Sequence, residues 1–429
     1  MHNREVVITG MGLTAPLGSS VEKNWNNIKA MKSGIVHEPR EGLPDFLQYV
    51  GRTDKHELPR DISPRQEGQM KFLNRGAIFG FCSAWEAISE TIENISDISP
   101  GRRALYVAAG DFTKIGSEFM YPAMRDCVDD HWQNADQKKL NISMLNKVNP
   151  FFLLESLNNN LFSFLSAFIE FMGPNTSLAS LSPCGGNAME LAYRSIKQGN
   201  ADMAMAVGYG SWINEVVLYE LEGLGILSKC RSGTGSYKPF DRYRDGFITG
   251  EGGAAVLLED SEKAAERGAR VYGKIRGIGN CTESVGENKM GVPDAVSKRN
   301  IISTLKEAGF STDDLAFIVP HGSGTRKGDR SELRSVKHVF ERDGSNIPVC
   351  GLKSYTGHMG AASDIAELII GVNAVCDKTV PATLNFEKTE KEFMDLNISG
   401  LPQPCEKKRF LSVSYGVGGQ SSSVIVEAS

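Results

Sequence analysis

A strand, a sharp turn and a helix follow one another directly in the stretch LASLSPCGGNAMELAYRSIKQG, residues 178–199. Apolar residues at 178–181 are typical of a strand, and the proline and glycines of 182–186 break it. Apolar residues return at helical spacing over 188–196, and Gly199 is the kind of residue that commonly follows a helix end. A strand that passes straight into a helix is typical of α/β proteins.

The same alternation extends along the chain on both sides of this stretch. Buried strands with nearby glycines are predicted at residues 4–9, 104–110, 203–210, 256–259 and 271–279. The first of them is predicted to end at Gly10-Met-Gly12, and a further helix is predicted at 301–308, ending at Gly309. Strands that alternate with helices predict an α/β fold whose sheets are covered by helices.

The two halves of the chain resemble each other weakly. Each opens with a strand that is predicted to end in a Gly-x-Gly turn, at residues 10–12 and 277–279, and each later places a reactive side chain just after a strand. The charged stretch 259–267 lies between them. We therefore predict an N-terminal half at residues 1–262 and a C-terminal half at residues 263–429.

Composition and charge exclude several classes of protein. The 429 residues include 41% hydrophobic and 23% charged residues, and the net charge of −5 supplies no general attraction for nucleic acid or a membrane surface. No Cys-x-x-Cys pair occurs among the eight cysteines, so neither a zinc ribbon nor a redox dithiol is indicated. Residues 1–10 lack the apolar core of a signal peptide, and charges and amides interrupt the longest apolar stretch, 151–172. We expect a cytoplasmic protein without a membrane span, in which residues 151–172 form buried helix.

Nucleotide and metal motifs are absent from the sequence. The stretch GMGLTAPLG at residues 10–18 lacks the third glycine of the dinucleotide-binding pattern, and no G-x-x-x-x-G-K-[ST] loop occurs. No two cysteine or histidine positions have metal-ligand spacing. The sequence therefore predicts neither a nucleotide cofactor nor a metal.

The first candidate for chemistry is Cys184, where the strand at 178–181 turns into a helix. The partial positive charge at a helix N-terminus favours a thiolate, and the backbone N–H groups there are able to hold an oxyanion. Many cysteines are only small buried hydrophobic residues, and position alone leaves both interpretations open. The adjacent glycines favour a function, because they leave room beside the sulfur for another chain.

Two of the seven histidines lie at matching corners of the predicted fold. His321 follows a buried strand at 315–320, and His358 lies between a strand at 347–350 and a helix at 361–376. Such strand-to-helix corners are where the sites of α/β proteins gather. A lone histidine is more often structural, but two at matching corners favour a site.

A lysine and a glutamate flank the second histidine. Lys353 precedes His358 by five residues, and Glu367 lies on the following helix. The two charges are able to pair and to fix the loop that presents the histidine. By spacing alone, a surface lysine and an ordinary helical glutamate fit equally well.

Together these segments resemble the ordered motifs of the β-ketoacyl-acyl-carrier-protein synthases, the condensing enzymes of type II fatty-acid and polyketide synthesis. The motifs are VVITGMGLTAPLG, PFDRYRDGFITGEGG, HGSGTRKGD followed by Glu332, LKSYTGHMGAA and the terminal YGVGG. They cover nearly the whole chain. The resemblance implies a thiolase-type fold, with duplicated βαβαβαββ halves in five layers. It also implies a dimer, either a homodimer or a heterodimer with a chain-length-factor-type subunit.

The resemblance further implies roles for individual residues. Cys184 matches the acylated nucleophile, His321 and His358 match the histidine pair, and Lys353 and Glu367 match the lysine of the second histidine loop and its acidic partner. Substrate contacts are implied for Ser323, Thr325, Val417, Gly418, Asp111 and Phe112, and docking of an acidic carrier protein for Arg65, Lys71 and Arg75. No cofactor is implied.

The implied reaction has two stages. An acyl group passes from its carrier protein to Cys184, with the backbone N–H groups of Cys184 and Val417 expected to hold the oxyanion. Malonyl carrier protein then loses CO₂, with the histidines expected to hold the resulting enolate, which attacks the acyl-cysteine.

The sequence departs from the family's pattern in three places. Pro183 precedes the nucleophile and two glycines follow it, where the family has small or hydroxyl residues. Val417 replaces the gating Phe of elongation enzymes, and Asp111 lies where an apolar tunnel residue is usual. Arg330 after HGSGT and the closing GGQSS favour a polyketide pathway over housekeeping elongation.

Three alternative classes of protein share some of these features. A non-catalytic chain-length-factor-type subunit shares the fold but has lost the nucleophile, which Cys184 retains here. A thiolase usually has a second cysteine in the C-terminal glycine loop, whereas residues 415–419 have none and Cys405 lies too early. A cysteine hydrolase needs only one histidine and leaves the second unexplained.

Overall fold

A computed structural model describes residues 4–54, 58, 62–89, 91–110, 117–148, 150, 157–286, 291–340 and 346–429. The strands are β1 (Val6–Thr14), β2 (Ile35–His37), β3 (Tyr49–Gly51), β4 (Arg103–Ala109), β5 (Asn175–Ala179), β6 (Met203–Ser211), β7 (Glu251–Asp260), β8 (Gly273–Thr282), β9 (Phe317–Val319), β10 (Pro348–Val349), β11 (Thr379–Val380), β12 (Asn397–Ile398), β13 (Gln403–Pro404), β14 (Arg409–Tyr415) and β15 (Gln420–Ala428). The α helices are α1 (Val21–Lys29), α2 (Pro64–Gln69), α3 (Arg75–Ser89), α4 (Ser117–Arg125), α5 (Gln137–Lys147), α6 (Asn160–Ile169), α7 (Cys184–Lys197), α8 (Glu215–Gly223), α9 (Ser261–Glu266), α10 (Lys298–Ala308), α11 (Arg326–Phe340), α12 (Lys353–Thr356) and α13 (Ala361–Cys376).

Eleven strands of the described residues form one mixed sheet, in the order β12-β10-β9-β14-β15-β8-β1-β7-β6-β4-β5. Two sets of five strands within it, β1, β4, β5, β6, β7 and β8, β9, β10, β14, β15, have the same topology. In each set the first strand pairs antiparallel with the fifth and the fifth antiparallel with the fourth, and the other pairings are parallel. The two first strands, β1 and β8, pair with each other and join the sets. The weak repetition of the sequence is therefore a repetition of fold.

Helices lie on both faces of each set of strands. Alternate residues of β6 show the two faces: Ala204 and Ala206 pack in the core that contains α7 and α13, whereas Met203 and Met205 pack in the core that contains α3. In the second set, α10 and α11 pack on the face opposite α13. The helices α7 and α13 also pack against each other and form the central layer. The predicted α/β fold with two repeated halves in five layers is confirmed.

The two Gly-x-Gly pairs lie inside strands, so the turns predicted there are wrong. Gly10 and Gly12 belong to β1, and Gly277 and Gly279 belong to β8. A Cβ on Gly10 or Gly12 would lie 1.8 or 1.9 Å from a carbonyl oxygen of α3, and a Cβ on Gly277 would lie 2.8 Å from a carbonyl oxygen of α10. The glycines are needed because a helix approaches the strand backbone closely.

The charged stretch between the halves forms the end of β7 and the short helix α9. The side chain of Asp260 caps this helix by accepting the N–H of Glu262. The boundary at residues 262 and 263 stays a prediction, since β1 pairs with strands on both sides of it.

Part of the predicted buried helix at 151–172 is described. Within it, α6 buries Leu161, Phe164 and Leu165 in the core beside α3. Residues 151–156 lie outside the described residues. In the described ranges, every helix is too short or too polar to cross a bilayer.

Candidate active site

Cys184 is the first residue of α7, and only 1% of its surface is exposed. Its backbone N–H donates to the carbonyl oxygen of Leu181 at 3.0 Å, which closes the turn between β5 and the helix. The N–H that was expected to hold an oxyanion is therefore already bonded in this turn.

The two glycines after Cys184 are explained by their neighbours. A Cβ on Gly185 would lie 2.3 Å from the carbonyl oxygen of Ala361 at the start of α13, and a Cβ on Gly186 would lie 2.4 Å from Oγ of Ser422 in β15. A side chain at either position does not fit without movement of these elements. The departure from the family's pattern thus reflects the close approach of α13 and β15 to the residues that follow Cys184.

His358 is fixed by its own backbone and by contacts of its ring, which include Trp212 and Phe247. Its N–H donates to the carbonyl oxygen of Ile248 at 2.8 Å, and its carbonyl oxygen accepts the N–H of Gly250 at 2.9 Å. The ring Nδ1 accepts the N–H of Gly360 at 3.1 Å, and the ring stacks on Trp212 with centroids 4.7 Å apart. Because Nδ1 is an acceptor, the neutral ring carries its proton on Nε2.

His321 lies against the second histidine, with ring centroids 5.2 Å apart, and against Tyr415 at 4.6 Å. The carboxylate of Glu332 fixes this corner by accepting the N–H groups of His321 at 2.6 Å and Gly322 at 2.9 Å. The buried ring Nδ1 finds no hydrogen-bond partner among the described residues. An unsatisfied buried nitrogen in such a place suits a ligand contact.

Lys353 and Glu367 form a buried ion pair. Nζ of Lys353 donates to both carboxylate oxygens, at 2.8 and 2.9 Å, and the two side chains are 1% and 3% exposed. Nζ also donates to the backbone carbonyl oxygen of His321 at 2.7 Å. The pair therefore ties the first histidine corner to the loop that carries His358, rather than holding His358 alone.

Burial sets the protonation states of this site. It lowers the pKa of His321 and of His358 well below the usual value, and the Lys353 ammonium adds to the effect, so both rings are neutral. Burial, followed by the negative charge of Asp364, raises the pKa of Cys184 to about 12. The sequence predicts that the helix N-terminus favours a thiolate at Cys184, but burial keeps the thiol protonated in the resting protein.

Asp364 belongs to the site although its sequence context carries no signal, because an acid in the first turn of a helix is common. Its Oδ2 accepts the N–H of Gly185 at 3.0 Å, and its Oδ1 accepts the hydroxyl of Ser182 at 3.1 Å. Trp212 is a second contact that the sequence does not reveal, since it lies far along the chain from His358.

The C-terminal glycine loop contacts both His321 and the turn before Cys184. Tyr415 contacts His321, and the next residue, Gly416, lies so close to the turn that a Cβ would be 1.9 Å from the carbonyl oxygen of Ser182. Gly418 has a φ of 103°, a conformation that favours glycine. Val417, the predicted substrate contact at the loop tip, is 65% exposed.

The other predicted substrate contacts have different surroundings. Oγ of Ser323 is hydrogen-bonded to Oγ1 of Thr325 at 2.9 Å, to Oδ1 of Asp329 at 3.1 Å and to the Tyr415 hydroxyl at 3.2 Å. Contact of Ser323 and Thr325 with substrate stays a prediction. Asp111 and Phe112 lie outside the described residues.

The three predicted docking residues do not share one environment. Arg65 is exposed on α2, and Lys71 is exposed beside the ring of Phe72. Arg75 instead makes two hydrogen bonds of 2.7 Å with the buried carboxylate of Glu251. Its charge is compensated within the protein, and docking of a carrier at these three residues stays a prediction.

A thiol at a helix start, two neutral imidazoles in contact and a buried ion pair lie on a thiolase-type fold. In the part of the chain that the structure describes, no three His, Cys, Asp or Glu side chains are placed to hold a metal ion. Family models for the N-terminal and C-terminal domains of β-ketoacyl synthases match residues 3–264 and 272–387. The chain belongs to the β-ketoacyl synthase family, and it is a condensing acyltransferase.

Similar proteins extend over the whole chain. A 3-oxoacyl-[acyl-carrier-protein] synthase 2 from Coxiella burnetii is 27% identical over 440 residues, covering 99% of both chains. A putative mitochondrial 3-oxoacyl-[acyl-carrier-protein] synthase from Schizosaccharomyces pombe is also 27% identical, covering 98% of both. Among solved structures, a β-ketoacyl synthase from Burkholderia phymatum has a TM-score of 0.85 at 22% identity, covering 99% of this chain and 100% of that one. A complex of a type II polyketide synthase acyl-carrier protein with its ketosynthase bound to the hexaketide has a TM-score of 0.83 at 23% identity, with full coverage of both.

Proposed function

We propose that Cys184 carries the acyl group and that His321 and His358 activate the malonyl thioester in a β-ketoacyl-[acyl-carrier-protein] synthase reaction. The observation that carries this proposal is the pair of neutral, buried rings 5.2 Å apart, one of which has its proton on Nε2. Neutral N–H donors in a dry site stabilise an enolate oxygen as its charge develops.

In the first half-reaction, Sγ of Cys184 attacks the carbonyl carbon of an acyl thioester on the carrier protein. The bond from that carbon to the carrier sulfur breaks, and the proton of the cysteine ends on the departing carrier thiol. Because burial keeps the thiol protonated, this proton has to leave as the S–C bond forms.

In the second half-reaction, the malonyl thioester loses CO₂. The electron pair of the broken C–C bond forms an enolate, whose negative charge rests on the thioester oxygen. The Nε2–H of His358 donates to this enolate oxygen, and His321 is the second donor. The enolate carbon attacks the acyl carbon on Cys184, the C–S bond breaks, and the cysteine thiolate regains a proton from solvent. No redox step or cofactor enters this balance.

The proposed partners are an acyl carrier protein and a second subunit. One similar structure contains an acyl-carrier protein bound to its ketosynthase, and another is a ketosynthase with a chain length factor. The last strand of the sheet, β5, is only partly buried, and an edge strand is a ready site for pairing with another chain. We propose a cytoplasmic dimer through β5, with either a second copy or a chain-length-factor-type subunit. A non-catalytic role is not favoured, because Cys184 and both histidines are present.

The test is to trap the acyl-enzyme. The protein is incubated with acyl carrier protein that bears an acyl thioester, and the acylated peptide is mapped by mass spectrometry. We expect the acyl group on Cys184 and its loss in Cys184→Ala. Cys376→Ala is the matched control, because Cys376 is an exposed thiol whose removal should change nothing. Acylation that survives in Cys184→Ala contradicts the assignment.

A further inference from the structure

A carboxylate holds both ends of the turn at residues 182–185, the nucleophile turn. Asp364 accepts the hydroxyl of Ser182, two residues before Cys184, and the N–H of Gly185, the residue after it. Its surface is 6% exposed. Neither half-reaction described above assigns it a role, although it is the charged side chain that bridges the two ends of this turn.

The position of this carboxylate is set by backbone packing. Ala361, the first residue of α13, lies against three glycines: a Cβ on Gly110, Gly185 or Gly208 would lie 2.3 to 2.5 Å from its backbone atoms. These contacts leave α13 little freedom to move relative to the start of α7. Asp364, nearly one turn along α13, therefore meets the nucleophile turn at a fixed distance.

The same carboxylate places a negative charge where a thiolate would form. An anion at the start of α7 offsets the partial positive charge of that helix end, which otherwise favours the thiolate. The groups that act on Asp364 are the Lys353 ammonium, the Ser182 hydroxyl and the N–H groups of Gly185 and Gly186. Its own charge acts in turn on Cys184 and on the carboxylate of Glu367.

We propose that Asp364 is a positioning residue for Cys184, which fixes the nucleophile turn and, while ionised, keeps the thiol protonated in the resting enzyme. This inference rests on the proposed role of Cys184 as the nucleophile. Burial raises the pKa of Asp364 to about 6, against the opposing effects of Lys353 and the hydrogen bonds. Above that pH the ionised carboxylate raises the pKa of Cys184, and below it the neutral carboxyl no longer does so.

Asp364→Asn separates charge from position. The amide keeps an oxygen that accepts the N–H of Gly185 but removes the negative charge, so the pKa of Cys184 falls. A fall of about one pH unit gives about tenfold more thiolate, but a less basic thiolate is about threefold less nucleophilic, so alkylation becomes about threefold faster above pH ~7. Below pH ~5 the carboxyl of the parent protein is itself protonated, and the variant and the parent react alike.

The experiment measures the ratio of the Cys184 alkylation rates of variant and parent by iodoacetamide across this pH range. Peptide mass spectrometry separates Cys184 from the exposed Cys376, and the ratio cancels the steep pH dependence that both proteins share. We expect the ratio to rise from about one to about three, with a midpoint near the pKa of Asp364. A merely structural role predicts a ratio that does not change with pH, and that result overturns the proposal.

Two further variants test whether Asp364 is the group that titrates. Ser182→Ala removes a hydrogen bond that lowers the pKa of Asp364, so in that background the midpoint of the ratio should move to higher pH. An unmoved midpoint counts against Asp364 as the titrating group.

Asp314→Asn is the matched control, since Asp314 also accepts a serine hydroxyl and a backbone N–H but lies in an exposed turn. Its ratio should stay at one.

Acyl transfer from the carrier protein is measured in parallel. Asp364→Ala loses both acceptors and should acylate more slowly than Asp364→Asn, because the turn is no longer held. If acylation of Cys184 is absent while the pH-dependent ratio is found, the proposed function fails and the effect of Asp364 on the thiol stands. If acylation occurs and the ratio is flat, only this inference fails.

Discussion

At the scale of single residues, the two histidines reach the same neutral state but are held differently. His358 has its Nδ1 bonded to the N–H of Gly360, which settles the tautomer, whereas the Nδ1 of His321 has no partner among the described residues. Lys353 lowers the pKa of both rings through its positive charge, while its ammonium donates to the carboxylate of Glu367 and to the backbone oxygen of His321. The lysine therefore acts on the histidines through charge and through the backbone.

This arrangement predicts separable half-reactions. Cys184→Gln should abolish condensation but retain malonyl decarboxylation, since the enolate is held by the histidines and not by the thiol. His321→Ala or His358→Ala should slow decarboxylation about 100-fold or more, the scale for loss of one well-placed oxyanion donor. Release of CO₂ from malonyl carrier protein is the measurement. A double-histidine variant that still decarboxylates at the parent rate refutes the mechanism.

At the scale of elements, the sequence predicts which segments are strands and helices but not how closely they approach. The helix after Cys184 follows from periodicity and glycine position, and the strand before it is predicted at 178–181 but lies at Asn175–Ala179. Turns are wrongly predicted at Gly10 and Gly277, because the sequence does not distinguish a glycine that lets a helix approach closely from a glycine that forms a turn. The place of Asp364 in the site is not predictable from the sequence for a related reason. It depends on a hydrogen bond with Gly185, which is distant in sequence.

Gly185 gives a direct test of this close packing. In Gly185→Ala the added Cβ would lie 2.3 Å from the carbonyl oxygen of Ala361, so α13 or the nucleophile turn has to shift. We expect a loss of about 1–3 kcal/mol in the free energy of unfolding, together with slower acylation of Cys184. Gly223→Ala, at the end of α8, is the matched control because its Cβ would meet nothing within 4 Å. Thermal unfolding should place Gly185→Ala below the parent protein and Gly223→Ala at or above it.

At the scale of the whole molecule, the repeated sets of strands place Cys184 and the two histidines at the ends of strands. Cys184 follows the third strand of the first set, and His358 follows the third strand of the second set, while His321 follows the second strand of that set. The helices that begin at or just after Cys184 and His358, α7 and α13, are the two that form the central layer. The duplication thus brings Gly185, the neighbour of Cys184, against Asp364 on α13, a contact that neither set of strands makes alone.

The net charge of −5 belongs to the molecule as a whole, and a carrier protein with an acidic surface requires a local reversal of sign. Arg65 and Lys71 are the exposed candidates for that reversal, since the guanidinium of Arg75 is bound to Glu251. In the double variant Arg65→Glu, Lys71→Glu, we expect the apparent KM for carrier-bound substrate at low salt to be higher than that of the parent protein. The difference in KM between variant and parent should be smaller at high salt, because salt screens exposed charges. Alkylation of Cys184 by iodoacetamide should be unchanged. The control is Lys263→Glu with Lys306→Glu, the same change in net charge on the exposed faces of α9 and α10. If both double variants raise KM equally, the effect comes from total charge, and the carrier protein docks elsewhere.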